Sequence, residues 1–457
     1  FAAASERLHQ LADEWSRALA GGDGAAAFLA PDAARLRELG AAATDEDAAG
    51  RALADGFSLE TLEALTLLRS PMIAAKEREA KAALEGFDQA EQIDVVLRRY
   101  ASLVAAGMGN GAAAGMARPP EFPFPGVLAL KGRIVAETVR AAREELEAAR
   151  RDALTMARKS YWELRYVVGA IEATSRTIDL LENLSASVSA RYEAGETSFQ
   201  DVVRARIERE KALEELKTLA GERRNMEADL RGILALSPRV AVGTPAPREM
   251  AATLPDQQAV ERLALERRQE VRAADAMVHR MELMLEMVET MTYPGFDLGL
   301  TPAAGGLALP AAAPGSGADA GAMGAERARV EPPQRPFFAA DESYLRELRQ
   351  RVAMQRSERD AARAATLVGV RAAWFGLDRA RRTAVLYGER VLPLSQSAID
   401  ASLRGYTAGR VAFSDLLESF TGWLEGNLAL ERARADAGSA RAVLEAAAGT
   451  AGIEETP

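Results

Sequence analysis

The chain has 457 residues, two histidines, no cysteine, a formal charge of −10 and a pI of about 5.2. These numbers exclude a disulfide framework and any cysteine-held metal, and no basic stripe is present for phosphate binding, so no nucleic-acid partner is expected. Aromatics make up 5% of residues while Ala, Leu, Glu and Arg dominate, the vocabulary of long helices and coiled coils.

Residues 1–56 are alanine-rich and read as an N-terminal extension of two or three short helices. Thr44, with Asp47 three positions on, marks a loose helix start there. A sharper start follows in FSLETLEALTLLRSP, residues 57–71. The Ser58 hydroxyl can take a first-turn amide. Leu59, Leu62, Leu65 and Leu68 recur at helical spacing, and Pro71 breaks or restarts the pattern. Helical patterning resumes from Met72 to about Ala106. A turn-rich stretch, 107–126, then ends in Phe122-Pro123-Phe124-Pro125-Gly126.

From Val127 to Tyr192 no proline occurs, and Ile134, Val139, Leu146, Leu154, Leu164, Val168 and Ile171 stand on a charged background. One helix of about 66 residues would span roughly 100 Å. Gly195 breaks it. A second helix runs from about Ser198 to Leu236 and stops at Ser237-Pro238, and residues 239–254 form a linker. The run RARIEREKALEELK within this helix reads as a solvated or internally paired charged face.

The second half repeats the plan. A helix covers about 256–291, and 292–340 is irregular. Within it Phe296, Leu298 and Leu300 alternate with Asp297 and Gly299, and Leu307 and Leu309 make a weak partner, so a β insert is possible here. A long helix from about Asp341 to Tyr406 carries Pro393, which predicts a kink. Gly409 ends it, a last helix runs from Ser414 to about Ala447, and 451–457 is a tail. At the turns the repetition is literal. RYEAGETSFQDVV (191–203) and GYTAGRVAFSDLL (405–417) share Tyr, Ala, Gly, Phe and Asp in register, 214 positions apart, and Tyr161 and Phe375 keep the same spacing. An internal duplication follows. The fold expected is mainly α, with two repeated long helical hairpins at 57–245 and 246–450. Their narrow apolar stripes call for lateral partners, hence an oligomer.

At the turns, Gly195 and Gly409 can take positive φ and let the chain reverse. Thr197 and Ser198, or Ser414, can cap the helix that follows. Asp201 and Asp415 lie where a helix N-terminus favours a carboxylate. Asp415 and Glu418, three apart, share a helix face. No run of about 18 apolar residues occurs, so no transmembrane helix is expected. No P-loop, dinucleotide fingerprint or zinc motif is present, and two isolated histidines do not make a hydrolase triad. Neither an enzyme nor a cofactor or metal site is expected.

With its repeated Tyr-x-Ala-Gly turns, the 57–71 opening, PFPGVLALKGRI at 123–134 and LALERRQEVRAADAMVHRMELML at 263–285, the chain resembles the TolC-like outer membrane factor family over about 57–450. The resemblance implies a homotrimeric α-helical barrel of twelve helices in the periplasm. It implies a passive exit duct for tripartite efflux or type I secretion in the outer membrane, with lipid contact there. The tip turns (Tyr192, Ala194, Gly195, Tyr406, Ala408, Gly409) would dock a periplasmic adaptor, and through it an inner-membrane pump. Asp201 and Tyr406 would hold the tunnel's iris by a hydrogen bond between hairpins, and Arg410 would add a salt link, the family's basic position falling at Val411. Asp415 and Glu418 would face the lumen. The family's four strands per protomer would fall near 86–126 and 290–340. Neither region has a clean alternation, and 86–106 reads as helix. The alternative is therefore a barrel-less helical tube, or a docking scaffold without its own pore.

Overall fold

The structure is a computed structural model that describes residues 2–21, 28–29, 33–54, 56–91, 125–248, 253–292 and 343–453. The region 92–124, Phe296, Leu298, Leu300, Leu307 and Leu309 lie outside the described residues, and so do most of the positions where strands were expected. Of the expected first strand region, 86–91 is helical. Among the described residues there is no β-strand, only one isolated parallel bridge between Phe57 and Pro245.

The first half contains α1 (Ala2–Gly21), α2 (Ala33–Glu38), α3 (Glu46–Ala54), α4 (Leu59–Arg69), α5 (Pro71–Leu84), α6 (Gly86–Glu91), α7 (Pro125–Glu193) and α8 (Phe199–Ile233). The second contains α9 (Gln257–Arg267), α10 (Gln269–Thr292), α11 (Ser343–Val385), α12 (Leu392–Thr407) and α13 (Phe413–Ala448). Helix α7 has 69 residues, about 100 Å at 1.5 Å per residue.

The duplication extends to backbone detail. Ser58 and Asp256, 198 positions apart, cap α4 and α9: Ser58 Oγ accepts from Thr61 N, and Asp256 from Ala259 N. Both helices have 11 residues. Both end at a residue in extended conformation, Ser70 (φ −60°, ψ 122°) and Arg268 (φ −65°, ψ 126°). The break at Ser70-Pro71 was expected. The one at Arg268 was not, and it splits the single helix read over 256–291. Its cause is tertiary: Arg268 donates to the Ala446 and Ala447 carbonyls at the end of α13, and Gln269 Nε2 donates to the Gly449 carbonyl. Arg69 does the same in the first half, donating to the Leu234 and Ala235 carbonyls at the end of α8. Two arginines thus satisfy helix-end carbonyls that have no intrahelical partner.

One smaller reading is corrected. The start of α3 is capped by Asp45, whose Oδ1 accepts from Asp47 N; Thr44 is not the cap. Near Pro393 there is a π turn over Leu386–Val391, in which the Leu392 amide reaches back five residues to the Tyr387 carbonyl. The wider turn accommodates a proline that has no N–H and a ring that crowds the preceding turn.

Two compact units are present. One comprises 1–23, 77–145 and 270–363. In it Leu8, Phe87, Ala90 and Val139 form a small core with Leu11 and Trp15 against it. Arg349 pairs with Glu289, Arg356 with Glu282, and Arg272 with the buried Glu144.

The other unit comprises 24–76, 146–269 and 364–457. Its main core gathers Phe57, Leu62, Leu65, Tyr161, Trp162, Leu164, Leu230 and Leu234. The linker after α8 packs along this core: Phe57 N donates to Thr244 O, Ala246 N to Phe57 O, and Gly243 N to Leu53 O. Tyr161 is buried and its hydroxyl donates to Ala246 O at 2.6 Å, while its duplicate Phe375 is 58% exposed. Beside this core Arg158 Nε meets Glu63 at 2.6 Å, and its Nη1 meets Glu445 at 2.5 Å. Burial pushes the Glu63 carboxyl up, with Arg158 pulling against it.

Candidate functional site

The sequence singled out the turns that close the two hairpins, and their geometry is nearly identical. Two residues past the end of α7 stands Gly195 at φ 75°, and two past the end of α12 stands Gly409 at φ 67°. The Gly195 amide bonds Tyr192 O at 2.9 Å and the Glu196 amide bonds Arg191 O at 2.8 Å. The Gly409 amide bonds Tyr406 O at 3.0 Å and the Arg410 amide bonds Gly405 O at 2.8 Å. This pair of bonds closes a helix around a left-handed residue, where glycine pays no steric cost. Ala194 and Ala408 precede the glycines, both exposed, with amides bonded to Ala190 O and Arg404 O.

The helix starts differ. Ser198 is the N-cap of α8, accepting from the Asp201 amide at 3.3 Å. Asp201 Oδ2 in turn accepts from Thr197 Oγ1 at 2.7 Å and Ser198 Oγ at 3.0 Å, so the Asp201 carboxylate is held within its own turn. At the second turn Ala412 occupies the cap position and offers no side-chain bond. Ser414 lies inside the helix and donates only to Asp415 Oδ1 at 3.2 Å, so it is not the cap.

Between the hairpins, Tyr406, Phe413 and Leu416 pack with Leu184, Val188, Val202 and Ala205. The Tyr406 hydroxyl is buried without a hydrogen-bond partner among the described residues. The group that crosses from the first hairpin to Tyr406 is Arg191. It donates through Nη1 to Tyr406 O at 2.7 Å, its guanidinium lies 4.7 Å from the Tyr406 ring centroid, and Glu196 pairs with it at 3.2 Å. Sequence reasoning passed over Arg191. The one signal was its duplicate: position 405 is Gly, so the arginine is not required by the turn itself.

Arg410, Asp415 and Glu418 are exposed, and none has an ion-pair partner among the described residues. Two unneutralised carboxylates therefore stand on the first turns of α13. No group of three or more His, Cys, Asp or Glu residues suited to a metal occurs among the described residues. No described helix is long and apolar enough to cross a membrane.

Solved outer membrane proteins, channels among them, have this fold. VceC of Vibrio cholerae aligns over 86% of this chain and 96% of its own, with a TM-score of 0.62 at 14% identity. CusC aligns over 88% and 94%, with a TM-score of 0.61 at 13% identity. MtrE of Neisseria gonorrhoeae, in its open state, aligns over 86% and 89%, with a TM-score of 0.58 at 15% identity. No family model and no curated protein matches the chain by sequence. The chain has the mainly α, long-hairpin fold of the TolC-like outer membrane channels.

Proposed function

We propose that this chain is the protomer of a trimeric, TolC-like exit duct of the outer membrane and periplasm, a passive conduit and not an enzyme. The observation that carries this reading is the duplicated pair of long hairpins closed by matched Gly195 and Gly409 turns, in a fold shared along most of its length with outer membrane channels. Three copies side by side bring six hairpins into one ring. The turns then form the tip that meets a periplasmic adaptor, with the exposed Tyr192, Ala194, Gly195, Ala408 and Gly409 at the contact and the buried Tyr406 behind them. An inner-membrane pump engages through that adaptor.

In the same ring Asp415 and Glu418 face the lumen and give two levels of carboxylates near the constriction. Rings of this kind favour cations and hold multivalent ones, because a bound cation relieves their mutual repulsion. Asp201, Tyr406 and Arg410 belong to the gate. The test is reconstitution of the detergent-extracted protein into planar bilayers. A cation-selective conductance supports the duct. A protein washed from membranes by salt, with no conductance, would instead fit a docking scaffold without a pore.

A further inference from the structure

Five of the chain's 13 methionines fall within 15 residues of α10: Met277, Met281, Met284, Met287 and Met291. Their spacing is four, three, three and four. All five therefore share one helix face, within an arc of about 120° at 3.6 residues per turn. Met277, Met281, Met284 and Met287 are each partly exposed.

Core packing does not account for this stripe. On the opposite side of α10, Val271, Ala276, Val278 and Leu283 are buried. From that side Glu286 pairs with Arg133 and Arg272 with Glu144, both partners on α7. Glu282 and Glu289 pair there with Arg356 and Arg349 of α11. None of the methionines belongs to the core around Leu8, Phe87, Ala90 and Val139. A purely apolar face is met by leucine at a lower cost in rotamer entropy. What methionine adds is a polarisable thioether sulfur.

Along the axis, Met277 and Met284 lie about 6 Å and about 4.5 Å from Met281, on either side of it. Side chains at these spacings are neighbours. With three rotatable bonds each, their sulfurs can turn to one point beside Met281. Met277 Sδ already accepts from Arg280 Nη1 at 3.8 Å, and Arg280 is the one charged residue on this arc between Met277 and Met287. A thioether is a weak acceptor, so a metal ion there displaces only a weak bond. Three thioethers bring softness and no charge. Soft sulfur ligands of this kind select Cu(I)-type ions over Mg(II), Ca(II) and Mn(II), which take oxygen. A monovalent ion also leaves less uncompensated charge at a half-covered site than a divalent one does.

We infer that Met277, Met281 and Met284 form a thioether site for a soft monovalent metal ion, Cu(I) or Ag(I), with Met287 as a further ligand on the same face. The site lies on one helix of one chain and does not depend on the duct reading. The probe is Ag(I), titrated calorimetrically into the detergent-extracted full chain in chloride-free buffer. The chain has no cysteine thiolate to compete for it. Met281→Leu with Met284→Leu removes two sulfurs at nearly constant volume, and Met281→Leu alone is the milder variant. Met156→Leu with Met354→Leu, at methionines 46% and 48% exposed elsewhere, is the control. Melting temperatures are read alongside.

The expected result is uptake of about one Ag(I) per chain, with no comparable uptake of Mg(II) or Mn(II). Both α10 variants weaken it, the double one by roughly tenfold or more, since losing a ligand costs at least what losing a ligand's support costs. The control leaves it unchanged. Binding is also level between about pH 5.5 and pH 7.5, because a thioether has no proton to lose. No Ag(I) uptake by the folded parent, or equal uptake by the parent and the double variant, would overturn the inference. Binding that falls away at the acid end would overturn it too, and would move the ion to a histidine such as the exposed His279.

Discussion

Ala235 holds a left-handed conformation, φ 49°, that alanine disfavours. It ends α8 as Gly449 ends α13, 214 positions later. Leu236 N bonds Arg231 O at 2.8 Å and Thr450 N bonds Glu445 O at 3.3 Å, in the same pattern as the two tip turns. Ala235 is exposed, so Ala235→Gly relieves steric cost without opening a cavity. We expect a gain of about 0.5–1 kcal/mol after the extra entropy lost by glycine, read by equilibrium denaturation. At the second tip, Ala412 stands where Ser198 caps the first. Ala412→Ser supplies an acceptor for the Asp415 amide and is expected to add about 1 kcal/mol, with slower hydrogen exchange at the first amides of α13. The glycines at 195 and 409 were legible in the sequence because each interrupts a long helical pattern. Ala235 was not, since alanine reads as a helix former and its conformation is set by the Arg69 and Schellman bonds around it. Arg191 was not legible either: its partner Tyr406 is 215 positions away, a pairing that only the fold makes.

At the scale of elements, the long helices, the tip reversals and the Ser58 and Ser198 caps follow from local pattern and short-range chemistry. The Arg268 break does not, because no residue near it disfavours helix, and the break exists to deliver Arg268 and Gln269 to the end of α13. The same long-range logic governs Arg158, which joins α4, α7 and α13 through Glu63 and Glu445, with the Phe28 ring 5.8 Å from its guanidinium. Side chains of all three charged residues are at most 12% exposed. Arg158→Ala leaves the buried Glu63 without its cation, while Glu445 keeps Arg441 at 2.9 Å, and is expected to cost about 3–5 kcal/mol, more than the ion pairs contribute net, because a buried charge loses its partner. The readout is the denaturation midpoint. A loss below about 1 kcal/mol, the range of an exposed pair, would mean that the site hydrates freely.

For the whole molecule, duplication is what makes the fold legible in so dissimilar a sequence. At 13–15% identity to the channels it resembles, the sequence has diverged, while the fold is kept over 86–88% of this chain. The lumen chemistry is open to direct test. Asp415→Ala with Glu418→Ala is expected to weaken block by multivalent cations and reduce cation selectivity; unchanged block would remove both residues from the lumen.

In the duct proposed above, three copies close a helical tunnel around a single passage. A cryo-EM map of the detergent-extracted protein tests it most directly. The expected result is a threefold particle with six hairpins converging on the Gly195 and Gly409 turns around a narrow axial opening. A monomer, or an assembly whose hairpins pack without a central passage, would contradict it.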